Sequence, residues 1–192
     1  MRTFQWLALT STVALVSSGI MACSRPAPPA APTPAIPAQV PTGTVRDVMK
    51  DIVDESSQAI FDSVAITVGL SGTVQKQPTT QEEWDALEHW AFRLAEAPNL
   101  LKVPGRRVAR PDEEKTSAGP TELTPLEIQA KIEANPQLFY SHVDELQKVS
   151  IEALTAVKSH NVQGLFDVSG KIDAACESCH LEFWYPAEKK PS

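Results

Sequence analysis

This 192-residue chain has no internal repeat and no strand-like alternation of useful length. It also lacks an uninterrupted apolar run of the roughly 20 residues that a membrane-spanning helix needs. No Gly-rich phosphate loop, paired-carboxylate arrangement or Ser-His-Asp set stands out, so an active enzyme is the least supported class. Basic residues are outnumbered, 17 Lys and Arg against 24 Asp and Glu. The resulting formal charge of −7 argues against nucleic acid and against a polybasic membrane contact. Cysteine is scarce too, with three in the chain, and the positions of those three carry the functional reading.

The first, Cys23, follows a segment with the layout of an export signal. Arg2 supplies a positive start, Trp6 to Val16 is apolar apart from Thr and Ser, and small residues lead from Ser17 to Ala22. Residues 1–22 are therefore expected to be a cleaved signal. Ile20-Met21-Ala22-Cys23 resembles a bacterial lipobox, which would make Cys23 the lipidated first residue of the mature protein. The alternative is ordinary cleavage near Ala22, leaving Cys23 as a thiol. From Ser24 to Thr42 the composition shifts to Pro and Ala, with seven prolines, and such a stretch cannot bury a core. Residues 23–43 thus read as an anchor and tether, 44–186 as one compact domain, and 187–192 as a tail.

The other two cysteines stand in Cys176-Glu177-Ser178-Cys179-His180, the attachment signature of a c-type haem. Two thiols add to the porphyrin vinyl groups and the adjacent imidazole becomes an iron ligand. On a helix, at about 100° per residue, the three side chains share one face. Competing readings are chance, a Cys-x-x-Cys disulfide and half of a zinc site. A redox dithiol is expected near a βαβ pattern, which the chain lacks, and zinc would need two further ligands at recognisable spacing. With Cys23 assigned to lipid and the other two to haem, none is left for a structural disulfide.

Helical periodicity dominates residues 44–186. A first helix starts at Thr44 with Asp47 in its first turn and is expected to run to about Val68, where Gly69, Ser71 and Gly72 stop it. A second opens at Thr79-Thr80 with Glu83 completing a capping box, carries Trp84, Leu87, Ala91 and Leu94 as its stripe, and ends or kinks at Pro98. Thr124-Pro125-Leu126-Glu127 is another capping box. It opens a short helix that breaks at Asn135-Pro136. There a third long helix begins, with Phe139, Val143, Leu146, Ala153 and Val157 inward. The last spans about Val162 to Tyr185, with Leu165, Val168, Ile172, Cys176, Cys179 and Phe183 on its core stripe. The expected fold is all-α, an antiparallel up-down-up-down four-helix bundle.

With Cys-x-x-Cys-His near the end of the last of four helices, residues 44–186 resemble the class II cytochromes c, the cytochrome c′ family. The resemblance implies that Cys176 and Cys179 hold the thioethers of one haem c and that His180 is the proximal ligand. It implies export to the bacterial periplasm, single-electron transfer with redox partner proteins of the cell envelope, and dimers through the first helix as often found in the family. The acidic balance is compatible with a basic redox partner. Two departures stand out. Trp184 occupies a position that is often basic in the family, and the connection between the second and third long helices is longer.

Some family members fill the sixth iron position with a methionine from the first helix, whereas cytochromes c′ proper leave it open. In an antiparallel bundle Met49, five residues after Thr44, lies level with His180, five before Tyr185. At about 1.5 Å per residue both sit roughly 7–8 Å from one end. Ser56, Ala59 and Ser63 leave room on the same arc. Met49 is therefore the candidate sixth ligand, with core filler as the alternative. His89, His142 and His160 read as surface or core histidines. Arg106, Arg107 and Arg110 fall in the long connection at the same end. They are candidates for the haem propionates, with pairing to the acidic run 112–114 as the alternative. The competing functions are a five-coordinate haem that binds nitric oxide or carbon monoxide, and a haem-free lipoprotein with a redox dithiol.

Overall fold

A computed structural model describes residues 39–116 and 119–186. The expected signal, the lipid-accepting Cys23, nearly all of the tether and the tail lie outside these residues. The described part is mostly helical, with one small two-stranded sheet. Three threonines start helices as the sequence suggests. Thr44 Oγ1 accepts the Asp47 amide at 3.1 Å, and the Asp47 carboxylate accepts the Thr44 amide at 2.9 Å, opening α1 (Val45–Val48). Without a break the backbone widens into a π-helical segment, Met49–Asp54, and tightens again into α2 (Glu55–Ser63). Thr80 caps α3 (Gln81–Leu101) and Thr124 caps α4 (Pro125–Ala134), each with a glutamate three residues on reaching back. Asn135 and Asn161 cap α5 (Pro136–Lys158) and α6 (Val162–Phe183).

The first helix is shorter than expected. It ends at Ser63, Val64 turns extended, and the chain forms a hairpin of β1 (Ala65–Gly69) and β2 (Gly72–Lys76). The strands are antiparallel, with Ile66 opposite Gln75 and Thr67 opposite Val74. β-branched residues at 64, 66, 67 and 68 favour extended backbone over helix. Leu70-Ser71 closes the hairpin, and Gly72 follows at a φ of +119° that other residues rarely adopt. The expectation of no useful strand is thus corrected. The sequence shows no alternation because neither face of the hairpin is buried.

Pro98 does not end α3, which continues to Leu101 with Pro98 fully buried. The principal packings are α3 on α5 and α5 on α6, with α2 against α3 and a lighter contact between α2 and α6. Val53, Ile60, Leu94, Val157, Leu165 and Ile172 form the fully buried centre, drawn from each of these elements and the π segment. Each such side chain contributes about 1.5–3 kcal/mol by leaving water. At the turn between α5 and α6, His160 adopts a φ of 51° and stacks on Trp84 at 4.6 Å. A Cβ on Gly164 would come within 3.1 Å of the Ala156 methyl, so glycine allows α6 to start this close to α5.

The described parts of the long connection between α3 and α4 pack on the helices as a strap. Its Arg107 and Val108 carbonyls accept the Val45 and Arg46 amides at 2.8 and 3.0 Å. These are first-turn donors with no partner inside their own helix. Val108 and Ala109 are buried, and the Val108 amide donates to Gln129 Oε1 in α4 at 2.8 Å. Further along, the Leu123 amide donates to the Trp184 carbonyl at the end of α6 (2.8 Å). The strap therefore brings the start of α1, α4 and the end of α6 together. No described helix is long and apolar enough to cross a membrane.

Candidate functional site

Leu165, Val168, Ile172, Ala175 and Phe183 bury one stripe of α6, and Cys176 and Cys179 continue it as half-buried residues packed against the same core. Both thiols are free. Burial pushes the Cys176 thiol up to about 11, with the Asp173 and Asp54 carboxylates adding to the effect. Burial likewise pushes Cys179 up to about 12, reinforced by Cys176 and Glu182. Both therefore stay protonated near neutral pH. His180, one residue on, is half-buried as well, and burial holds its imidazole below the usual histidine value against the opposing pull of Glu177. A neutral ring is the form that binds a metal.

The end of α6 folds back around His180. The His180 carbonyl accepts the Trp184 and Tyr185 amides at 2.8 and 2.9 Å. This places the Trp184 ring edge-on to the imidazole at 4.8 Å and the Tyr185 ring at 5.9 Å. Tyr185 in turn donates its hydroxyl to Glu177 at 2.5 Å. Burial, then this bond and charge, push the Tyr185 hydroxyl up to about 12. On another side of α6, His142 of α5 reaches Ser178 Oγ with Nδ1 at 3.3 Å and meets the Phe183 ring edge-on.

Met49 begins the π segment and is half-buried, packed against the single apolar core that Cys176 and Cys179 also border. π-helical turns are uncommon and concentrate at functional sites. The sequence reading of Met49 did not include this widening, which has no periodic signature. Seven residues later Ser56 is fully buried, and its hydroxyl has no hydrogen-bond partner among the described residues. An unsatisfied buried hydroxyl costs about 1–3 kcal/mol. Ser56 lies on the same arc as the small residues Ala59 and Ser63.

The three arginines of the strap are engaged by the protein itself. Arg106 donates to the Leu100 carbonyl at 2.7 Å and to the Gly43 carbonyl at 2.5 Å. Arg107 pairs with Glu114, and Arg110 pairs with Asp47 at 2.7 Å. The acidic-run pairing thus describes Arg107, while Arg110 clamps the strap to α1. A small cavity of about 180 Å³ opens beside them, lined by Val45, Leu101, Arg106, Ile132, Phe139 and Tyr140. His89 is exposed beside Trp90, and His160 stacks on Trp84.

Among the described residues no group of three or more His, Cys, Asp and Glu is arranged to hold a bare metal ion. The donor set of α6 has a different character, two thiols three residues apart with an imidazole beside the second, and the Met49 thioether borders the same domain core from the π segment. That set fits covalent haem, which needs two thiols and one or two axial ligands from the protein. No family model matches the chain, and neither the curated proteins nor the solved structures contain a match to it.

Proposed function

We propose that the protein is a single-haem c-type cytochrome that carries electrons in the bacterial cell envelope, exported and held to a membrane by lipid on Cys23. The observation that carries this reading is the half-buried face of α6 on which Cys176, Cys179 and His180 lie together. Cys176 and Cys179 would form the thioethers and His180 would supply the proximal nitrogen. When bound, the iron supplies a reversible one-electron change between ferric and ferrous states. Trp184 and Tyr185 shield the imidazole and fix its position. Met49 would be a second protein ligand, and a thioether favours the ferrous state and so would raise the reduction potential relative to a second histidine.

The architecture in this reading is an up-down-up-down bundle of four long segments: α1 through α2, α3, α5 and α6. The three-residue turn from α5 to α6 and the meeting of the α6 end with the α1 start through the strap support it. The redox-dithiol reading draws less support, because a reactive dithiol needs a lowered thiol pKa and burial here raises both. A second haem reading has Met49 as a core residue and the protein as a binder of nitric oxide or carbon monoxide.

The test is the mass and visible spectrum of the exported protein, oxidised and reduced, before and after carbon monoxide. Added haem mass with a low-spin spectrum unmoved by the gas supports electron transfer with Met49 bound. A high-spin spectrum that shifts transfers the support to gas binding. The absence of haem mass would sink both.

A further inference from the structure

The hairpin of residues 65–76 is the least explained part of the molecule. Every residue in both strands is exposed, including Ile66, Val68 and Val74, and Leu70 at its tip is wholly in solvent. A two-stranded ribbon alone is marginal in water, and three or more strands with an apolar face are needed for independent stability. Among the described residues, no third strand borders either edge. Natural proteins protect such edges with charge, proline or a bulge. β2 has Lys76 at its end, whereas β1, Ala65-Ile66-Thr67-Val68-Gly69, carries no such protection.

From this we infer that β1 is the contact through which two copies of the chain associate, by antiparallel pairing of β1 with β1 about Thr67. The register is self-complementary. Thr67 falls opposite the second copy's Thr67, Ile66 opposite its Val68, and Ala65 opposite its Gly69. β-branched residues opposite one another are the favourable cross-strand pairs. The contact is isologous, so it closes as a two-fold dimer and does not propagate. It converts two marginal hairpins into one four-stranded sheet in the order β2-β1-β1-β2, with two isoleucines and two valines gathered on one face.

Charge points to the same occupant. Lys76 is the only ionisable residue between 65 and 76 in a chain of net charge −7. Two copies therefore meet here without opposing acidic groups, whereas their acidic surfaces repel elsewhere. A lipid surface suits the edge less well, because lipid leaves the strand's outward N–H and C=O groups unpaired. This contact is separate from the first-helix dimer that the family resemblance implies, and it does not depend on whether haem is present.

The experiment is sedimentation equilibrium of the full-length protein in density-matched detergent, with oxidative cross-linking of Thr67→Cys and Ile66→Cys against the wild type as baseline. Support requires a wild-type dimer at micromolar concentration. It further requires that Val68→Lys weaken the dimer by about tenfold or more, with unchanged helical circular dichroism. Thr67→Cys should become a covalent dimer while Ile66→Cys stays at baseline, since in this register the two Ile66 Cα atoms lie beyond the ~7 Å that a disulfide spans. A wild-type monomer up to roughly 100 μM overturns the inference, as does a dimer indifferent to Val68→Lys. Equal cross-linking at both positions rejects the register. A monomer that floats with phosphatidylglycerol vesicles only while Val68 is intact would give the hairpin to the membrane and overturn the inference as well.

Discussion

Tyr185 and Glu177 are eight residues apart, yet the tyrosine hydroxyl donates to the carboxylate at 2.5 Å because the chain turns back past the end of α6. The bond closes a loop around His180, with the Trp184 and Tyr185 rings held beside the imidazole. Glu177 belongs to the Cys-x-x-Cys-His run itself, so the motif helps position its own flanking aromatics.

Tyr185→Phe removes that bond and leaves the ring. A partly exposed bond of this kind contributes about 0.5–1.5 kcal/mol. Urea unfolding of the variant should show a midpoint lowered accordingly, with an unchanged slope. No change in midpoint would mean that the clasp is held by ring packing alone.

Met49→Ala separates the two haem readings. With Met49 as the sixth ligand, wild-type protein ignores carbon monoxide and the variant binds it, with a high-spin ferrous spectrum before the gas is added. If wild type already binds the gas and the variant behaves identically, Met49 is a core residue.

Acid sensitivity should have a contribution from the start of α3. Backbone bonds from Thr79 and Thr80 hold the Glu83 carboxyl below its ordinary value. A lowered carboxylate pKa adds stability that is present above the ordinary value of 4.5 and is lost as pH falls through the lowered one. Glu83→Gln keeps the shape and removes the titration. Acid unfolding followed by circular dichroism should therefore be less steep in the variant below that value, while an unchanged acid limb would rule out Glu83 as a contributor.

Leu94 on α3 is fully buried at the centre of the core, and Leu126 on α4 is largely exposed. Leu94→Ala should cost about 2–5 kcal/mol by lost burial and a residual cavity. Leu126→Ala should stay within about 0.5 kcal/mol of wild type. Chemical denaturation of the two variants side by side measures the difference, and equal losses would contradict the assignment of the core.

Helix starts were legible because a cap is a local contact. Thr44, Thr80 and Thr124 each meet a residue three positions on, a distance that sequence displays directly. The inward stripe of α6 was legible from its period, and Cys176 and Cys179 lie along its continuation. The hairpin was not, because alternation signals burial on one face and this hairpin buries neither. The strap escaped detection for another reason: its bonds join Val45 to Arg107 and Leu123 to Trp184, pairs more than 60 residues apart. The bonds of Arg106 to Gly43 and of Arg110 to Asp47 depend on that same long-range closure, whereas Arg107 meets Glu114 only seven residues on, in the acidic run that the sequence displays.

The strap also sets how the domain comes apart. Residues near the two ends of the folded region, Val45 and Trp184, are stitched to one segment in its middle. Each end has its own bonds to that segment, the first turn of α1 to Arg107 and Val108 and the residue after α6 to Leu123. Fraying at either terminus therefore gives up a contact with the interior of the chain, so neither end of the helical region is a free one.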